Sequence, residues 1–165
     1  MQNILTPLNS LWLFFFLSAA LLLGALGFQH IGELPPCTMC YWQRHAHKAV
    51  MGIAALGLFL HYFSKSEKWN KIFLILIGLA FLVSFGLAFA HVGVEHKWWA
   101  GPKICASTNA DFIEFDPDKL FSSEIRMPSC EDIAWSMFGI SMAGYNALVS
   151  IGAAVLSFII VFKRH

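Results

Sequence analysis

Three stretches of the chain run without a charged side chain for roughly the thickness of a bilayer: 11–28 (LWLFFFLSAALLLGALGF), 72–94 (IFLILIGLAFLVSFGLAFAHVGV) and 143–162 (AGYNALVSIGAAVLSFIIVF). A fourth, 49–63, is shorter, and it reaches spanning length if its helix begins near Trp42 and Lys48 reaches out to the membrane surface. About 20 helical residues cross the ~30 Å hydrocarbon core, and in lipid a segment must satisfy its own backbone hydrogen bonds. The pattern therefore predicts four transmembrane helices, at about 11–30, 42–63, 71–94 and 143–162, forming a single membrane domain over residues 1–165. The first run is read as a retained helix rather than a signal peptide. Its 18 apolar residues exceed the usual ~7–15, and residues 1–10 hold no Lys or Arg.

Composition agrees with this pattern: 58% of residues are hydrophobic and only 13% charged, about half the charged share of a soluble domain. The charges that remain set an orientation. Lys65, Lys68 and Lys71 stand against Glu67 alone between the second and third runs, and Lys163 and Arg164 follow the fourth. The long connection 95–142 holds eight acids and four bases. The positive-inside rule puts 64–71 and both termini in the cytoplasm, and turns the loops at about 29–45 and 95–142 outward.

All four cysteines (Cys37, Cys40, Cys105, Cys130) fall in or beside those two outward loops. An oxidising compartment lets such thiols live as disulfides. One pair per loop is the natural reading, although three pairings are possible. The second loop is 48 residues long, far beyond the usual 2–8 for a bundle connection, and loops of this length tend to be functional or mobile. Asp116-Pro117 is a turn signal within it. After Cys130, "EDIAWSMFGISM" alternates polar and bulky apolar residues and is expected to form a short interfacial helix, capped by Ser129 with Asp132 three residues on. Small residues at four-residue spacing, Ala20 and Gly24 in the first run and Ala80, Ser84 and Ala88 in the third, are read as helix-packing faces.

The chemistry lies in "LPPCTMCYWQRHAHK", residues 34–48. A Cys-x-x-Cys disulfide closes too small a loop to stabilise much, but it suits redox exchange, one thiol activated and the other resolving. A structural disulfide and half of a zinc site are the competing readings. The second is incomplete, because Cys105 and Cys130 form no further C-x-x-C. With a helix starting beside the pair, Cys40 lies at its N-terminus, where the helix dipole favours a thiolate. Arg44 follows one turn on along the same face. It either supports that thiolate, hydrogen-bonds the oxygen of a bound electron acceptor, or anchors the helix at the interface. Cys105 and Cys130 either staple the long loop, worth roughly 3 kcal/mol on the chain-entropy model, or form a labile disulfide open to attack. Of the seven histidines, His30, His45, His47, His91 and His96 gather toward the outward end and His61 lies at the other. His61 and His91 at opposite depths argue against a bis-histidine haem. His96, beside Glu95, is the one singled out.

The order Cys37-x-x-Cys40-x-x-x-Arg44 at the mouth of the second helix resembles the disulfide bond formation protein B (DsbB) family, inner-membrane oxidases that recharge DsbA. The likeness runs over nearly the whole chain: "FQH" precedes the first pair, "EH" follows the third helix, and a cysteine pair spans the last loop. Trp135, Gly139 and Met142 (W-x-x-x-G-x-x-M) then lead into the fourth helix. The resemblance implies an all-α integral membrane protein, a four-helix transmembrane bundle with two periplasmic loops, in the bacterial inner membrane. It implies catalytic roles for all four cysteines. Cys105–Cys130 would meet a periplasmic DsbA-like thioredoxin-fold protein, with Cys105 forming the mixed disulfide. Cys130 would attack Cys37, and Cys40 would hand electrons to ubiquinone or menaquinone from the membrane quinone pool. Arg44 and His96 match the family's quinone-side residues; no metal and no nucleic-acid partner is implied. The acidic residues Asp111, Glu114, Asp116 and Asp118 are expected to face a basic surface of the partner. A specialised oxidase for a dedicated partner, a non-catalytic disulfide-stabilised scaffold and a metal-binding bundle are the alternatives.

Overall fold

The computed structural model describes residues 6–105 and 128–163. Four helices dominate it: α1 (Pro7–His30), α2 (Thr38–Ser64), α3 (Glu67–Glu95) and α4 (Met142–Phe162). Their lengths of 24, 27, 29 and 21 residues correspond to about 32–44 Å at 1.5 Å per residue, enough for each to cross a bilayer. Large side chains such as Phe16, Leu23, Phe59, Val83 and Leu148 are exposed on these helices. An apolar surface of that extent calls for lipid around it.

Local chemistry fixes the helix starts. Thr6 caps α1 by accepting the Asn9 N–H, with Pro7 in the first turn. At α2, Pro35 and Pro36 hold the approach extended, and Cys37 is itself the N-cap, its Sγ accepting the Cys40 N–H at 3.2 Å. The helix therefore begins inside the cysteine motif, four residues ahead of the start expected near Trp42. Ser141 caps α4 in the same way, through the Gly144 N–H.

The helices pack in chain order, α1 on α2, α2 on α3 and α3 on α4, with α1 and α4 meeting little. The core is apolar: Leu11 and Phe14 from α1, Val50 and Ala54 from α2, Phe73, Leu74, Ile77 and Phe81 from α3, and Ala153, Ala154, Ile160 and Val161 from α4. Gly78 lets α3 and α4 close together, since a Cβ there would come within 2.9 Å of the Phe158 ring. Ser84 and Ala88 of the predicted packing face of α3 are buried. Gly24 of α1 makes no close helix contact, since a Cβ there would meet nothing within 4 Å, and Ala20 and Gly24 both line a cavity.

The long loop departs from expectation after Cys130. No interfacial helix forms there. A turn follows Cys130, with the Glu131 N–H donated to Ser129 Oγ and the Asp132 N–H to the Ser129 carbonyl. A two-stranded antiparallel ribbon comes next, β1 (Ser136–Met137) and β2 (Ile140–Ser141). The two-residue turn between the strands is Phe138-Gly139, with φ of 53° and 78°, as the tightest hairpin connection requires. The polar-apolar alternation that was read as a helix face was the period of a hairpin. A single 3₁₀ turn, Lys103–Cys105, lies on the other side of the loop. Asp116-Pro117 and the acidic residues of the loop lie outside the described residues.

Candidate functional site

All four cysteines meet at one end of the bundle. Cys105 and Cys130 are joined in a disulfide, with the Cys130 N–H donated to the Cys105 carbonyl. They pack with Cys37, Met39 and Val94 into one buried cluster against which Cys40 lies. Cys37 and Cys40 are unbridged, their sulfurs 2.8 Å apart. The hydrogen bond with Cys40, reinforced by burial, pushes the Cys37 thiol well above the usual thiol range. Cys105 is only 5% exposed.

A cavity of about 460 Å³ opens beside this cluster, lined by residues of all four helices and by those leading into α2 and α4. Cys40, Arg44 and His47 line it from α2, with Ala20 and Gly24 on α1 and Met142 and Asn146 on α4. Trp135 covers it from the loop, its ring 5.0 Å from Phe28 and 6.2 Å from Tyr145. The absence of bulk at Ala20 and Gly24 is what leaves this room. Arg44 reaches across to α1, donating to Gln29 Oε1 and to the Ala25 carbonyl at 3.0 Å. These contacts employ two of its five N–H donors and hold the guanidinium at the cavity wall.

Behind the cysteines, a chain of buried polar side chains runs between the helices. His91 Nε2 lies 3.5 Å from Cys37 Sγ and 3.9 Å from Glu95 Oε1. Its other nitrogen, Nδ1, is 2.9 Å from Gln43 Nε2. Asn146 Nδ2 donates to Gln43 Oε1 at 2.7 Å, and Asn146 Oδ1 faces His47 Nε2 at 2.8 Å and Ser150 Oγ at 3.1 Å. The two amides give this chain a direction. Because Gln43 Oε1 is taken by Asn146, Gln43 Nε2 is the donor to His91 Nδ1, and the His91 ring hydrogen lies on Nε2, toward Cys37. Glu95 in turn accepts from Ser141 Oγ, fastening the end of α3 to the cap of α4.

Five of the six residues singled out from sequence thus come together: the four cysteines and Arg44. His96 does not join them. It is the exposed cap residue after α3, stacked on Trp98 at 5.6 Å, and it does not line the cavity. His91 and Glu95 occupy that place instead. Sequence reading passed over Gln43, His47, His91 and Asn146 as site residues. The signal for two of them lay in helical phase, since Cys40, Gln43, Arg44 and His47 follow at i, i+3, i+4 and i+7. The donor atoms of Cys37, Cys40 and His91 all lie within 4.8 Å of one another, a three-donor set among the described residues, where a closed structural zinc site takes four ligands.

A profile of the family described as "Disulfide bond formation protein DsbB" matches residues 8–160. A disulfide bond formation protein B of Pasteurella multocida is 31% identical over 148 residues, covering 88% of this chain and 80% of that protein. One of Histophilus somni is 35% identical over 147 residues, covering 86% and 78%. A third, of Acinetobacter baumannii, is 32% identical over 120 residues, covering 72% and 69%. Four helices able to span a membrane, four cysteines gathered at one end of them and this likeness along nearly all the chain lead to one conclusion: the chain belongs to the DsbB family of membrane disulfide-bond formation proteins.

Proposed function

We propose that this protein is a quinone-dependent thiol oxidase that reoxidises a periplasmic DsbA-like thioredoxin-fold protein and passes the electrons to ubiquinone or menaquinone. The observation that carries the reading is the placement of Cys40, which touches the buried cysteine cluster on one side and an apolar cavity between lipid-spanning helices on the other. In this reading the bundle sits in the bacterial inner membrane with both termini in the cytoplasm. The cysteine end then faces the periplasm, in accord with the lysines at 65, 68 and 71.

The relay is two dithiol–disulfide exchanges, each made of two steps that break one S–S bond and form another. A thiolate of the partner attacks Cys105 of the Cys105–Cys130 disulfide, forming a mixed disulfide and releasing Cys130 as a thiolate. The partner's second thiolate then attacks its own half of the mixed disulfide and leaves oxidised, with Cys105 as the released thiolate. Cys130 attacks Cys37 of an oxidised Cys37–Cys40 pair, and Cys40 leaves as a thiolate. Cys105 closes on Cys130 and restores the first disulfide, with Cys37 as the leaving thiolate. The electron pair is then held by Cys37 and Cys40. The packing of the two pairs in one cluster supports a short path for the second exchange.

The cavity fits a quinone headgroup: it is largely apolar, and it carries an arginine at its wall and a buried imidazole nitrogen without a partner among the described residues, His47 Nδ1. A quinone held there would supply a sink for two electrons and two protons, and with it Cys37 and Cys40 would return to the disulfide. Arg44 would hold an oxygen of that group near Cys40. His91, not His96, is the histidine with access to the reacting sulfurs, and its Nε2–H supports a thiolate on Cys37. The energetics favour such a sink. The established potential of DsbA is about −120 mV, against about −220 to −260 mV for a glutathione pool. A gap of about 100 mV for two electrons is nearly 5 kcal/mol uphill.

The test is quinone consumption, followed by absorbance, by purified protein supplied with reduced DsbA. Wild type should consume ubiquinone or menaquinone, Cys40→Ser should not, and Arg44→Ala should do so with a raised KM. Wild-type protein silent with both quinones would end this reading and leave a dedicated partner or a structural role.

A further inference from the structure

The polar chain behind the cysteines ends at an atom that none of the steps above employs. His47 is 4% exposed and lies in the third turn of the lipid-spanning helix α2. Its Nε2 is 2.8 Å from Asn146 Oδ1, and its Nδ1 has no hydrogen-bond partner among the described residues. Asn146 donates Nδ2 to Gln43 Oε1 and turns Oδ1 toward His47 Nε2, which also lies 3.4 Å from Ser84 Oγ. Asn146 Oδ1 therefore accepts, and His47 Nε2 carries the hydrogen. A neutral imidazole protonated on Nε2 presents a lone pair on Nδ1. His47 lines the cavity, as do Cys40 and Arg44 on the same face of α2.

The two polar ends of that face have opposite character. Arg44 offers only donors, which match a carbonyl oxygen or an anionic oxygen. His47 Nδ1 offers only an acceptor. A quinone ring carries acceptors on both sides and cannot satisfy His47, whereas a hydroquinone carries a hydroxyl that can. An apolar alternative for this position was open to the chain, since a leucine or phenylalanine would fill it without a polar atom to satisfy. The retained acceptor, aimed by two amides of fixed direction, implies a ligand with a hydrogen to give.

We propose that His47, oriented by Asn146 and Gln43, accepts a hydrogen bond from the ring hydroxyl of the reduced acceptor, so that the cavity distinguishes hydroquinone from quinone. This inference rests on the reading of the cavity as a quinone site and adds a residue and a preference to it. By linkage, any preference for the reduced form raises the potential of the bound couple. A tenfold preference corresponds to about 30 mV for two electrons. That shift acts in the direction an acceptor of electrons from a strongly oxidising dithiol needs.

The experiment is equilibrium binding of a short-chain ubiquinone and of its quinol to the full-length protein in nanodiscs, under argon. A Cys37→Ser/Cys40→Ser background prevents electron exchange, and quenching of tryptophan fluorescence reports occupancy near Trp135. The ratio of quinol to quinone affinity should fall about two- to tenfold in His47→Leu, the range of one neutral hydrogen bond. His47→Asn, which keeps an acceptor at the position of Nδ1, should hold the ratio within about twofold of the unsubstituted protein. A ratio unchanged or raised in His47→Leu overturns the inference while leaving the quinone site standing. Binding of neither form overturns the quinone reading, and the inference with it. A measurement free of any change at this position uses protein labelled with 15N-histidine. The Nδ1 resonance of His47 should move on adding quinol and stay in place on adding quinone, and movement with both or with neither counts against the assignment.

Discussion

Replacing Gln43 by leucine removes the hinge of the polar chain with little change of volume. Gln43 is 7% exposed, and each end of its amide has one partner: Oε1 accepts from Asn146 Nδ2 at 2.7 Å, and Nε2 donates to His91 Nδ1 at 2.9 Å. Two estimates of the cost differ. Counting two buried groups left unsatisfied, at about 1–3 kcal/mol each, gives about 2–6 kcal/mol. Interhelical hydrogen bonds in helical membrane proteins average about 0.6 kcal/mol and reach about 1.7, so two of them give about 1–3 kcal/mol. The second figure governs, because the unfolded reference state keeps these helices in lipid, where the freed groups find other partners. The expected loss is therefore about 1–3 kcal/mol, read as a shift in reversible unfolding by SDS in mixed micelles. A double-mutant cycle with Asn146→Leu isolates the bond between them. The double variant should lose less than the sum of the singles by at least about 0.5 kcal/mol. The freed His91 ring no longer holds its hydrogen on Nε2, so Cys37 should react more slowly with iodoacetamide in a Cys40→Ser background. Strict additivity of the two substitutions, with Cys37 reactivity unchanged, would refute the chain as drawn.

Two further outcomes test the neighbouring parts of the site. Gly93→Ala places a Cβ 1.9 Å from the Trp99 ring and must expel it from the end of α3, breaking its Nε1–H bond to the Ala90 carbonyl. The expected result is a red-shifted tryptophan emission and a loss of about 1–2 kcal/mol; unchanged emission would argue against that packing. Cys130→Ser opens a disulfide between residues 25 apart, which should lower stability by about 3 kcal/mol. With Cys130 in place, by contrast, a partner lacking its second cysteine should be held on Cys105 as a mixed disulfide, visible as a band of summed mass on a non-reducing gel.

How much of this the sequence reveals depends on whether the signal is local. The four spans are legible because lipid imposes a long apolar run on each helix, and no tertiary contact is needed to read it. The convergence of Cys37 and Cys40 with Cys105 and Cys130 is a long-range fact, reached from the sequence only through resemblance. The hairpin before α4 was misread because Phe138-Gly139 lacks the Asn-Gly or Asp-Gly signature of its turn, and a short alternating stretch fits either a strand or an amphipathic helix. Gly24 was misread because small residues allow close packing and empty space alike, and only the position of α4 decides between them. His96 stands out in the sequence because it follows Glu95 and matches the family's histidine after the third helix. In the fold α3 runs on to Glu95, so His96 is past the last helical turn and points away, while His91 lies one turn back and faces Cys37.

The polar residues that sequence reading passed over also explain why the site can work at a lipid boundary. Thiol exchange needs thiolates, and a thiolate near hydrocarbon needs donors aimed at it. Water could supply them, but a cavity flooded with water would weaken every such contact. Here the donors come from the chain. The Cys40 N–H at the start of α2 and the His91 Nε2–H both face Cys37, and Arg44 stands one turn beyond Cys40, tied to α1. Each of these is held by something else: the helix start by Pro35 and Pro36, the His91 ring by Gln43, and Gln43 by Asn146 on α4. Buried amides of this kind are costly in a membrane bundle that leucine could fill. Their mutual satisfaction limits that cost, and their fixed directions place one hydrogen toward the sulfurs and one lone pair at His47. The same four side chains thus give the two ends of the site opposite polarity, which neither the cysteine motif nor the apolar spans would provide.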